Sequence, residues 1–148
     1  MALEASSDRP EIRRLWIAVA GGTTGLVVDA IYIGIILAEG DAEAGRVGTF
    51  AILVAAYSLV AIGAGLAARL PERTRLVMLA AAAGGLLTAG VLGIFSIGLP
   101  LLVAGILCCS AWMSVARRAN PVPDGSPILS ALAAIGAGAL LVLGIALT

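Results

Sequence analysis

Arg75 and Arg117 are separated by 41 uncharged residues, positions 76 to 116. As one helix rising about 1.5 Å per residue this run would be roughly 60 Å long, twice the ~30 Å hydrocarbon core of a bilayer. It therefore reads as two membrane crossings joined by a turn. The only Pro inside it lies in Ser96-Ile97-Gly98-Leu99-Pro100, and a Pro in a helix interior costs about 3 kcal/mol. The turn is accordingly expected at 96–100, between spans 76–95 and 99–116.

The rest of the chain divides by the same rule. Residues 15–38 lie between Arg14 and Glu39 and contain one charge, Asp29, while residues 47–68 lie between Arg46 and Arg69 and contain none. A loop with Pro121, Pro123, Asp124, Gly125 and Pro127 precedes a last apolar run, 128–148. All six Pro fall at or outside these boundaries. The apolar runs are continuous rather than alternating, which excludes the strands of a membrane barrel. The expected fold is an all-α integral membrane protein, one domain over 1–148, with five transmembrane helices behind a short cytosolic arm at 1–14. Four helices is the nearest competing count, with the hairpin re-entrant or the first span lying on the membrane surface.

Composition agrees. The chain is 61% hydrophobic and 12% charged, with a mean hydropathy of +1.10, whereas soluble domains carry about 25% charged residues. Nine Arg, no Lys and nine acidic residues leave no basic excess for nucleic acid. With five crossings, Arg9, Arg13, Arg14, Arg69, Arg73, Arg75, Arg117 and Arg118 share one side, and only Arg46 falls on the other. Basic residues gather on the cytoplasmic side. The N-terminus is therefore expected inside and the C-terminus outside, in a multi-pass protein of the cell (plasma or inner) membrane. Ala18-Val19-Ala20 resembles a cleavage site but follows Arg14 too closely for a signal's apolar region, so a retained first helix is expected.

Asp29 is the one ionisable residue inside a span. On insertion scales a central Asp costs about +2.5 to +3.5 kcal/mol, and the eleven Leu, Ile and Val of that span return roughly −3 to −7. A residue so expensive is a functional candidate; the plainer reading is a protonated Asp bonded to a neighbouring helix, or a wet one near the surface. Helical spacing puts Gly22, Gly25, Asp29 and Tyr32 on one face, and the two glycines would let another helix approach closely. Gly21 and Gly25 also form a G-x-x-x-G, a weak signal in a chain with 19 Gly.

Counted from the outer ends of their spans, Asp29, Tyr57, Ser58, Thr88 and Cys108 or Cys109 lie at similar depth, roughly 10–17 Å down. A polar layer is expected, with Tyr57 or Ser58 donating to Asp29, although hydroxyls and thiols at such depth also serve simply as helix–helix glue. The adjacent Cys108 and Cys109 read as packing residues, and no metal or cofactor is expected. Trp16 and Trp112 read as interfacial anchors. The Arg clusters could attract anionic headgroups, but setting topology already accounts for them. The last span offers packing or lipid contact only.

No His is present, so Ser–His pairs and His-ligated metals are excluded; one buried Asp cannot form an aspartyl dyad, and no phosphate-binding loop occurs. Catalysis is thus the weakest class. Two others remain. One is a structural or accessory subunit, or a scaffold, that acts through helix packing in the lipid bilayer as a homo-oligomer or with other membrane subunits. The alternative is a small proton- or cation-coupled transporter, a homo-oligomer with Asp29 as its ion-binding carboxylate.

Overall fold

The computed structural model describes residues 9–39, 44–67, 70–94, 97–118 and 125–147. They form five helices: α1 (Arg9–Glu39), α2 (Ala44–Leu66), α3 (Glu72–Leu92), α4 (Gly98–Ala116) and α5 (Ser126–Leu147). Each contains a segment long and apolar enough to cross a membrane, beginning at Trp16 in α1 and at Val47 in α2.

Several boundaries differ from expectation; α2 begins at Ala44 and α3 at Glu72, each about a turn early. α1 begins at Arg9, so helix reaches back into the segment expected to be an arm. Pro10 does not prevent this, because the first N–H groups of a helix have no intrahelical partner to lose. The hairpin between α3 and α4 turns earlier than 96–100. α3 stops at Leu92, where the Gly93 N–H bonds to the Ala89 carbonyl at 2.9 Å, and the Gly98 N–H reaches the Gly93 carbonyl at 2.6 Å. Gly98 lies against the backbone of Gly90 and Gly93, where a side chain would have no room. Glycine contact therefore sets this turn, and Pro100 sits harmlessly in the first turn of α4. Residues 95 and 96 lie outside the described ones.

Contacts run α1 to α2, α2 to α3, α3 to α4 and α4 back to α1, so the first four helices close a ring; α5 packs outside it, on α3 and more lightly on α2. α3 is the central element, with 56% of its apolar window buried against 22% in both α1 and α5. The core is made of small residues. Ala61, Ala82, Ala89 and Ala104 are fully buried beside Leu86, Leu101, Val54, Cys108 and Leu141. Many other large apolar side chains point outward, as those of Leu37, Ile52, Leu132 and Leu147 do. A core this rich in Ala and Gly lets helix backbones approach closely.

Candidate functional site: the groove between the first two helices

Gly22 and Gly25 of α1 make a close contact with Ser58 and Ile62 of α2. A Cβ on Gly22 would lie 2.6 Å from the Ser58 carbonyl oxygen and from Ile62 Cγ1, and one on Gly25 would run into Ser58 Oγ. The helices touch backbone to backbone there. One turn further on, the same face of α1 presents Asp29. It is 4% exposed, and its Oδ1 is buried without a hydrogen-bond partner.

Asp29 lines a groove of about 310 Å³ between the C-terminal half of α1 and the N-terminal half of α2, walled by Ile33, Ile36 and Leu37 of α1 and by Val47, Ala51 and Ile52 of α2, among others. The tight glycine contact one turn earlier along α1 closes the groove at Asp29. Everything else lining the groove is apolar or glycine, so the carboxylate meets no charge and no hydroxyl there. An unmade hydrogen bond on a buried polar atom costs about 1–3 kcal/mol.

The remaining polar residues do not form one layer. Tyr57 donates from its hydroxyl to the Ala137 carbonyl of α5 at 2.7 Å, its ring lying in a slot that Gly85 of α3 leaves open. Ser58 is fully buried on Gly25, and its Oγ has no partner. The expected bond from Tyr57 or Ser58 to Asp29 is therefore not made: Tyr57 is turned toward α3 and α5, and Ser58 fills the glycine contact. Tyr32 leaves the groove as well, packing edge-on against Phe50 with centroids 5.9 Å apart. Thr88 donates to the Gly84 carbonyl of its own helix at 2.8 Å and faces Gly138 of α5. Cys108 is buried against Gly21, while Cys109 is half-buried between α3, α4 and α5.

Three polar residues have surroundings that the sequence did not bring forward. Arg75, read as a loop charge, is 9% exposed. Trp112, read as an anchor, packs on the cluster of Ala18, Ala64, Leu79 and Ala111, and its Nε1 is buried without a partner. Ser130 of α5 is 2% exposed with an unpartnered Oγ. The available signal was position: Arg75 lies a full turn beyond Pro71, inside a helix rather than before it. Trp16 is largely exposed on α1, as an anchor would be.

Among the described residues no three His, Cys, Asp or Glu side chains gather as a metal site would require. The chain matches no family model, no curated protein and no solved structure. The chemistry on offer is that of one carboxylate in an apolar groove, able to accept a hydrogen bond or hold a cation.

Proposed function

We propose that this protein is a non-catalytic subunit or scaffold of a membrane assembly, inserted with its N-terminus cytoplasmic and its C-terminus outside, and that the groove of α1 and α2 receives a further helix. The observation that carries this reading is the unpartnered Oδ1 of Asp29 at the closed end of an apolar groove. A helix from a second copy or another subunit would fill the groove with apolar side chains and offer Asp29 a donor. Polar side chains bond across helices in this way, each contributing about 0.6–2 kcal/mol.

Mass spectrometry of the intact assembly, from nanodiscs prepared out of source membranes, tests it. A stoichiometric second chain, identical or foreign, is expected with the wild type and lost with Asp29→Leu. Asp29→Asn keeps an acceptor and retains much of the assembly. A lone protomer, or an assembly indifferent to both changes, overturns the reading.

The same carboxylate favours one other reading, a small proton- or cation-coupled carrier. It requires Asp29→Asn to abolish ion-coupled flux in liposomes while the assembly survives. The wholly apolar walls around Asp29 favour the subunit.

A further inference from the structure

At the opposite end of the ring, α1 to α4 converge on a small cavity of about 70 Å³, with Ala18, Ala64, Glu72, Arg75, Ser114 and Arg118 in its lining. Arg75 stands in the first full turn of α3, and its Nη2 donates 2.9 Å to the Ala67 carbonyl, just past the end of α2. That bond orients the guanidinium but leaves its Nε buried with no acceptor. The side chain makes no ion pair among the described residues, although it is nine-tenths buried. A buried cation without a counter-charge is costly, because its desolvation is not offset.

The lining also says what would offset it. Arg75 and Arg118 bring two positive charges and Glu72 one negative, which leaves one positive charge uncompensated. Ser114 already donates to the Ser110 carbonyl at 2.8 Å, so the free donors belong to the guanidinium groups. Planar N–H groups of arginine match the oxygens of phosphate. We propose that Arg75 and Arg118 form a binding site for a singly charged phosphate group at the arginine-rich end of the four-helix ring. The group is either the phosphodiester of an anionic lipid or free inorganic phosphate. The site shares no residue with the Asp29 groove and stands or falls separately from it.

The plainer role of Arg75, capping the end of α2, predicts a loss of stability on mutation and nothing about phosphate. The test therefore reads ligand. Delipidated protein in neutral detergent is titrated with phosphatidylglycerol, with zwitterionic phosphatidylcholine as control, and bound lipid is counted by native mass spectrometry; a parallel series follows the melting temperature against inorganic phosphate. One phosphatidylglycerol per protomer, held at least tenfold more tightly than phosphatidylcholine and lost in Arg75→Gln, Arg118→Gln and Ser114→Leu, supports the lipid source. Stabilisation by millimolar phosphate that these variants lose, without lipid selectivity, supports the free anion. Should Arg75→Gln fail to fold, the other two still decide: Arg118 is exposed, and Leu at 114 fills the cavity while Arg75 keeps its bond to Ala67. Binding that does not saturate, or is equal in wild type and variants for both ligands, overturns the proposal.

Discussion

A glycine in a helix interior costs about 1 kcal/mol relative to alanine, yet α1 carries Gly21, Gly22 and Gly25 within two turns. Their neighbours explain the cost. Gly21 lies against Ala104 and Cys108 of α4, and Gly22 and Gly25 lie against Ser58 and Ile62 of α2, so α1 is wedged between two helices by missing side chains. At Gly22 part of the obstacle is a backbone carbonyl, which cannot rotate away. Gly22→Ala is therefore expected to destabilise the protein by about 1–3 kcal/mol, the usual range for overpacking. Gly34, with nothing within 4 Å of a built Cβ, should gain up to about 1 kcal/mol as Ala. Equilibrium unfolding in mixed detergent micelles measures both, and equal effects at the two sites would refute this account of the contact. Gly25→Ala should be milder when combined with Ser58→Ala, since the atom it strikes is a hydroxyl with no bond to lose. The face of Gly22, Gly25 and Asp29 was readable from spacing alone. The destination of Tyr57 was not: α2 is apolar nearly all round, so nothing in its own sequence says which way one aromatic turns. That depended on Gly85, on a helix nearly thirty residues away.

At the scale of elements, α5 is the least predictable piece, because its sequence carries almost no polar signal. Leu141 of α5 is fully buried in the core and Gly144 lies on Leu53 of α2, and three further contacts tie the helix to the ring. Gly84 of α3 lies on the backbone of Ala134, with 2.7 Å from a built Cβ to the Ala134 Cα; Gly138 lies on Thr88; and the Ala137 carbonyl accepts from Tyr57. An acceptor on the backbone has no residue type, so the last span looked inert in sequence. Spans themselves were readable from charge-free length and Pro positions, whereas the α3–α4 turn was misplaced because Pro100 drew attention from the glycines that make it. Two substitutions separate these contributions. Gly84→Val should detach α5, since the side chain would have to pass through another helix's backbone, and a large rise in amide exchange along 126–147 would report it. Tyr57→Phe removes only one hydrogen bond and should cost about 0.5–1.5 kcal/mol with modest extra exchange in α5. Gly63→Ala, whose nearest neighbour is Met78 Cε at 3.8 Å, serves as the control. Unchanged exchange in Gly84→Val would mean that α5 is held by something other than this contact.

For the whole molecule, charge distribution and helix count constrain each other. Five helices place Arg73 and Arg75 at the same end as Arg117 and Arg118, and leave Arg46 at the other with Glu39. Antiparallel neighbours around the ring require this alternation, so a non-crossing helix among the first four would spread arginines over both faces, while α5, which follows the last Arg, leaves the tally unchanged. The ring order itself was not readable from sequence, because five similar apolar helices rank no pair above another; small residues decide it one contact at a time. The orientation of the ring is open to a direct test. With Cys108 and Cys109 replaced by Ala, single cysteines at Ala42, Arg118 and Leu147 are labelled in intact cells with a membrane-impermeant maleimide. Ala42→Cys and Leu147→Cys are expected to react, and Arg118→Cys only after permeabilisation. The opposite pattern would invert the protein in the bilayer. Reaction at Ala42 alone would mean that α5 does not cross, whereas reaction at Ala42 and Arg118 but not Leu147 would mean that one of α2 to α4 does not. Protection of all three in intact cells would mean that the first two helices do not carry their connection across.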